Sequence, residues 1–330
     1  MPEMTREQVT ATLQDGSELA TPWWRIDAGR PGPALLVMAA QHGNEVQGSE
    51  VIRRFAPVCA DGLVSGEVLL VPIANRLAVR HRRNSVKIGP EEKQTDRHKA
   101  NNMNRLWPGD PDGNDIARVA FALHEALVTR ATHVVDLHCW CHFWAAATLG
   151  CDDGGDSRRM AEATGTRFTR WSEPDDEVTL PTQIRRLMVQ RGGGAVTLEF
   201  SGQYCVRERE VQTGVRAVTN VAKTLGLLDG EPEVPEHSGI EPAEESTTPV
   251  EAPCSGLFVE QPGLQVEDRV EAGQRLGHIL RDDDLSTVEI CAPVGGWLWR
   301  FGSHRGDPDV SLADQHPYSD PGDTLASLVI

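Results

Sequence analysis

The sequence predicts an α/β fold, a sheet covered by helices on both faces, followed by a smaller all-β domain. Three observations carry this prediction. Short β-type runs alternate with helical patterns between residues 20 and 225, an acidic proline-rich stretch interrupts the chain at 229–251, and residues 252–330 contain two similar turn-rich halves. With 330 residues, 39% of them apolar, the chain is long enough to bury the cores of a large and a small domain.

The strand candidates are ALLVMA (34–39), EVLLVPI (67–73), HVVDL (133–137), AAATL (145–149) and AVTLEF (195–200). Near-continuous apolar runs of this length fit strands buried on both faces. A helix is expected where Ile116, Val119, Ala120, Leu123 and Leu127 recur at helical spacing behind Asn114 or Asp115 as a cap. Another follows Glu199, where Val211, Val215, Val218, Ala222 and Leu225 form one stripe that ends on Lys223 and Gly226. The first domain is therefore expected to span 1–228.

Residues 229–251 hold eight acids, four prolines and no Lys or Arg, which reads as a solvated linker. Beyond it, APCSGLF (252–258) and APVGGWL (292–298) share Ala-Pro-x-x-Gly-apolar, so 252–330 is expected to be a small sandwich or barrel. This part resembles the biotinyl/lipoyl hammerhead, but no lysine follows Lys223 to carry either group, which leaves a structural or gating role.

A formal charge of −17 opposes nucleic acid and anionic lipid as partners. No apolar run approaches about eighteen residues and the N-terminus lacks the layout of a secretory signal, so a soluble cytoplasmic protein is the expectation. Seven scattered cysteines without CxxC spacing argue against a disulfide framework and a cysteine zinc knuckle. No GxSxG, P-loop or GxGxxG is present, which removes the usual signatures of serine hydrolases and nucleotide binders.

Three strands deliver chemistry to the carboxyl edge of the predicted sheet, where ligands of open α/β sheets bind. His42 and Glu45 follow ALLVMA, His138 follows HVVDL, and Glu199 ends AVTLEF. Two imidazoles and one carboxylate with a fourth position open form the ligand set of a catalytic zinc site, and His42, Glu45 and His138 supply it for one Zn2+ per chain. Glu199 is then the candidate to move a proton from water to the leaving group. An HxxE pair alone is a weak signal; four such residues at three strand ends make a stronger one. Asp136 shares the strand face of His138, as an orienting partner or an ordinary local acceptor.

The runs QHGNEVQG (41–48), NNMNRLWPGD (101–110), VVDLH (134–138) and VTLEF (196–200) together resemble the aspartoacylase/succinylglutamate desuccinylase family of zinc carboxypeptidase-like deacylases. The resemblance covers about residues 30–225 and extends in outline to the trailing β domain. It implies a zinc-carboxypeptidase-like mixed sheet, His42, Glu45 and His138 as zinc ligands, and Glu199 as general base. It also implies that Asn104 and Arg105 hold a substrate carboxylate, a task suited to the guanidinium fork, and that an arginine of RHRRNS stabilises the oxyanion. By spacing that is Arg83, with Arg82 the neighbouring choice.

The run CWCHFW (139–144) departs from the small turn expected after the third ligand, so Trp140, Phe143 and Trp144 either line an acyl pocket or belong to a core. Residues 80–105, with eight Lys or Arg against three acids, form either a cationic funnel for a small carboxylate or an ordinary solvated loop. Of the two tyrosines, Tyr204 and Tyr318, the latter is the candidate phenol at the reacting centre. The expected activity is a zinc-dependent hydrolase of carbon–nitrogen bonds, an amidohydrolase that deacylates an N-acyl amino acid or similar small carboxylate-bearing amide. A metallocarboxypeptidase acting on peptides and a non-catalytic binding protein are the alternatives. The default assembly is a homodimer.

Overall fold

The computed structural model describes residues 2–84, 101–173, 183–303 and 316–330. The chain divides into two compact units, residues 1–140 with 147–239 and residues 141–146 with 240–330.

The first unit contains β1 (Glu3–Thr12), β2 (Glu18–Asp27), β3 (Ala34–Ala39), β4 (Glu67–Val71), β5 (His133–Trp140), β6 (Ala147–Cys151), β7 (Phe168–Ser172) and β8 (Gly194–Ser201). They form one sheet in the order β1-β2-β4-β3-β5-β8-β6-β7. β4, β3, β5 and β8 run parallel, whereas β2 joins β4 and β6 joins β8 antiparallel, so the sheet is mixed. Its helices are α1 (Gln47–Gly62), α2 (Arg76–His81), α3 (Asp115–Leu123), α4 (Asp156–Ala163), α5 (Gln183–Gln190) and α6 (Glu208–Thr224), with a 3₁₀ turn at Met103–Arg105.

Because side chains alternate along a strand, the sheet has two apolar faces. Leu35, Val37, Val135, Leu137, Val196 and Leu198 pack with α1 and α6. Leu36, Met38, Val134 and Ala195 pack with the 3₁₀ turn, α3 and α5. Asp136, His138, Thr197 and Glu199 share strand parity with this second set, so the acids and the imidazole emerge on one face at the carboxyl ends of β5 and β8.

The second unit contains β9 (Thr247–Glu251), β10 (Gly256–Glu260), β11 (Arg269–Val270), β12 (Arg275–Leu280), β13 (Thr287–Cys291), β14 (Gly296–Phe301), β15 (Tyr318–Ser319) and β16 (Thr324–Val329). They make two four-stranded antiparallel sheets, β13-β12-β10-β15 and β11-β14-β16-β9, around a core that includes Phe258, Leu276, Ile279, Leu298 and Phe301. The repeated Ala-Pro-x-x-Gly opens one strand in each sheet, β10 and β14. Its glycine is required by close approach: a Cβ at Gly256 would lie 2.3 Å from the Leu280 carbonyl oxygen, and one at Gly296 2.7 Å from that of Val329.

Several elements differ from expectation for local reasons. β5 continues to Trp140 and β6 begins at Ala147, so Ala145 and Ala146 are not part of it. The stripe Ile116–Leu127 is not one regular helix, since α3 gives way to a π turn at His124–Val128. The stretch 229–251 is not a linker throughout. Thr247–Glu251 form β9 at a sheet edge, where exposed Glu251 and Pro249 are tolerated. Glu233 is tied by both backbone groups to the Asn220 side chain. Among the described residues no helix is long and apolar enough to cross a membrane.

Candidate metal centre

β3 delivers its chain to Ala40, which adopts a left-handed φ of 56° and turns the backbone so that His42 and Glu45 face β5. The turn is pinned from two sides. Asn75 donates from its backbone to the Ala40 carbonyl and from its side chain to the Gln41 carbonyl. Gly43 lies against α2, where a Cβ would sit 2.1 Å from the Ala78 carbonyl and 2.5 Å from that of Arg83. At the start of α1, Gln47 donates to the carbonyls of Ser201 and Gly202 and accepts from the Arg207 amide, which fastens the loop after β8 to the same turn.

Metal-ligating atoms of His42, Glu45 and His138 lie within 4.8 Å of one another, and all three residues are buried. His42 Nδ1 is 2.9 Å from Glu45 Oε1, and His138 Nδ1 is 2.8 Å from Glu45 Oε2. Both Nε2 atoms have separate partners: His42 Nε2 is 2.8 Å from Asn102 Oδ1 and His138 Nε2 is 2.9 Å from Asp136 Oδ2. Asn102 Oδ1 also accepts from the Asn104 amide, which fixes it as an acceptor. Each imidazole therefore gives its Nε2 proton outward and turns Nδ1 toward the shared carboxylate.

That arrangement tests whether a metal fits. Two ring nitrogens and two carboxylate oxygens face one another there, a set of donor atoms suited to one divalent ion. Burial disfavours the His138 cation, yet Asp136 and then Glu45 outweigh it and hold the ring well above the usual imidazole range. Burial likewise opposes ionisation of Glu45, and His42 and His138 hold its carboxyl well below the usual carboxylate range. Two imidazoles and one carboxylate with acceptors on their outer nitrogens match a zinc ligand set and its supporting hydrogen bonds.

Glu199 pairs with His138 in the β5/β8 register, so the two side chains leave the sheet on the same face. Burial first, then the neighbouring carboxylates of Glu45 and Asp136, push the Glu199 carboxyl up to about 8, against the opposing His138. A carboxyl poised near neutrality both accepts and returns a proton.

Asn104 and Arg105 stand in the 3₁₀ turn that Asn102 caps, and Asn102 bonds to His42. Asn104 is buried with its Oδ1 making no hydrogen bond among the described residues, while Arg105 is exposed and donates to the Asn104 carbonyl. Arg82 and Arg83 sit exposed just past α2, with only the Arg83 backbone placed beside the Gly43 turn. Most of the cationic stretch 80–105, namely 85–100, lies outside the described residues.

Tyr318 belongs to the second unit, where its hydroxyl donates to Asp282 at 2.8 Å. Phe143 and Trp144 also belong to that unit. The Arg300 guanidinium lies 5.7 and 5.4 Å from their ring centres, and Phe143 is only 1% exposed, so they serve that unit's packing. Trp140 ends β5, its carbonyl accepting from Gly202.

Sequence reasoning gave no role to Gln41, Asn102, Trp107, Gln203 or Arg185. Gln203 donates to Glu45 Oε1 at 3.3 Å and to the Cys139 carbonyl, and Arg185 on α5 is a fully buried cation interacting electrostatically with Asp136 and Glu199. Gln41, Asn102 and Trp107 lie inside the quoted motifs, and that adjacency was the available signal.

Residues 31–225 match the family model described as the succinylglutamate desuccinylase/aspartoacylase catalytic domain. The N-alpha-acetyl-L-2,4-diaminobutyric acid deacetylase of Halomonas elongata is 27% identical over 217 residues, 63% of this chain and 59% of that relative's length. Among solved structures, an aspartoacylase family protein from Mesorhizobium loti superposes with a TM-score of 0.68 at 21% identity, covering 100% of this chain and 96% of that one. The product-bound ectoine utilization protein EutE (DoeB) from Ruegeria pomeroyi gives 0.67 at 19%, covering 100% and 98%. A metallo-carboxypeptidase from Burkholderia cenocepacia gives 0.50 at 15%, covering 68% and 65%. At these identities the structural likeness speaks for the fold, a mixed α/β sheet with a C-terminal all-β unit. The chain belongs to the succinylglutamate desuccinylase/aspartoacylase family.

Proposed function

We propose that the protein is a zinc-dependent amidohydrolase that removes the acyl group from an N-acyl amino acid or a similar small carboxylate-bearing amide. The observation that carries the reading is the convergence of His42 Nδ1, Glu45 and His138 Nδ1 on one point, with both Nε2 atoms held from outside. The deacetylase name of the Halomonas elongata relative supports the amide class.

His42, Glu45 and His138 would hold one zinc ion, which supplies Lewis acidity toward a carbonyl oxygen and makes water more acidic. Glu199, on the same sheet face as His138, takes the proton from the attacking water and passes it to the departing amine nitrogen. The Asn104 side-chain NH2 would donate to the substrate carboxylate beside the Arg105 fork, the roles the family resemblance assigns them. Arg83 would stabilise the developing oxyanion, the role the family resemblance assigns it.

The discriminating experiment offers the zinc-loaded protein acetylated amino acids and a peptide ladder. The reading expects acid release from the acetylated amino acids and intact peptides. Stepwise peptide shortening without deacylation would instead assign a carboxypeptidase activity, which the Burkholderia cenocepacia fold likeness keeps in view.

A further inference from the structure

A chain of buried hydrogen bonds ends on His138 from the side opposite Glu45. The Trp107 indole Nε1–H donates to Gln41 Oε1 at 2.7 Å, and Gln41 Nε2 donates to both Asp136 oxygens at 2.8 Å. Asp136 Oδ2 then accepts from His138 Nε2 at 2.9 Å. Trp107 is 5% exposed, His138 2%, and Gln41 and Asp136 are fully buried.

The direction of this chain is imposed by its first member. An indole nitrogen only donates, so Gln41 must present its oxygen to Trp107 and its NH2 to Asp136. A reversed amide would place an oxygen against a buried carboxylate and leave the indole without an acceptor. Trp107 thus fixes the amide, the amide fixes the carboxylate, and the carboxylate fixes which nitrogen of His138 is left to face Glu45. Trp107 also lies in the segment that carries Asn102, Asn104 and Arg105, and Asn102 holds the other imidazole through His42 Nε2. One short segment therefore orients both rings, His42 directly and His138 through Gln41 and Asp136.

We infer that Trp107 and Gln41 are positioning residues that set the His138 ring for metal and couple the Asn104–Arg105 turn to that geometry. This rests on the reading of His42, Glu45 and His138 as a metal site. Neither residue touches the metal-facing atoms of that group, so a purely packing role would change stability and leave metal affinity alone.

The test measures zinc dissociation constants by chelator competition, and visible absorption of the cobalt form, on the full chain and on Trp107→Phe, Gln41→Leu and the double variant. Supporting hydrogen bonds of metal ligands are worth about 10–100-fold in metal affinity, so Gln41→Leu is expected to fall in that range and Trp107→Phe, one step further out, about three- to tenfold. The double variant should be no weaker than Gln41→Leu, because both act through one path, and the cobalt bands should shift in every variant. Gln41→Leu keeps the shape of the side chain and remains informative should the indole prove necessary for folding. Variants that bind zinc within about twofold of the parent with unchanged cobalt spectra, or losses that simply add, would overturn the relay while leaving the metal reading intact. A parent protein that binds no zinc would overturn the metal reading itself, and the relay with it.

Discussion

At the residue scale, the site is defined by which nitrogen of each imidazole is free. Asn102 and Asp136 take the Nε2 atoms of His42 and His138, so Glu45 is met by two Nδ1 atoms. Replacing Asn102 with Leu is expected to weaken zinc binding about 10–100-fold by chelator competition, with little change in the far-ultraviolet circular dichroism. In the proposed reaction, replacing Glu199 with Gln removes the proton carrier and leaves His42, Glu45 and His138 in place. Turnover of an acetylated amino acid should drop about 10²–10⁴-fold while zinc content by elemental analysis stays at the parent level. The four residues at the strand ends were readable because acids and imidazoles stand out against apolar runs. Gln41, Asn102 and Trp107 were not, since the bonds that give them a role join positions 41 to 107, 41 to 136 and 42 to 102, and polar side chains carry no periodic signal of such pairings.

At the scale of elements, the turn between β3 and α1 is the most constrained piece of the site. A Cβ at Gly43 would meet the backbone of Ala78 and Arg83, and backbone cannot swing aside as a side chain would. Gly43→Ala is therefore expected to cost about 3 kcal/mol or more in denaturant unfolding, or to prevent folding. A value near zero would show that α2 is free to retreat. β3, β4, β5 and β8 were legible because strands buried on both faces write long apolar runs, six consecutive buried residues in β3 for example. β1 is an exposed sheet edge, β7 mixes buried and exposed positions, and β9 hides in an acidic stretch, so none of them makes such a run. For the aromatics after His138, which the sequence left between an acyl pocket and a core, the structure gives packing. Phe143 and Trp144 follow His138 by a few positions, yet the chain leaves the first unit at Cys141 and spends them on Arg300 and Trp299.

At the scale of the molecule, the cluster of buried charge makes the stability of the metal-free protein depend on pH in a definite sense. Glu199 is raised from an ordinary 4.5 to about 8, so between those values the folded chain holds a proton that the unfolded chain has released. Its contribution is fully present below about pH 4.5 and is lost as pH rises toward 8. His138, also raised, acts in the same direction above its ordinary 6.5. Chelator-treated protein should therefore lose stability from pH 5 to pH 9, and Glu199→Gln should flatten the lower part of that decline; stability rising over the same interval would mean that the carboxyl is ionised throughout. Family membership and fold locate this cluster in a deacylase scaffold, but its chemistry depends on what it holds. X-ray absorption at the zinc edge of the loaded protein addresses that most directly. The account predicts a first shell of two imidazole nitrogens and carboxylate oxygen from one glutamate, completed by an exchangeable solvent oxygen. A sulfur neighbour, or a shell closed by protein donors alone, would contradict it.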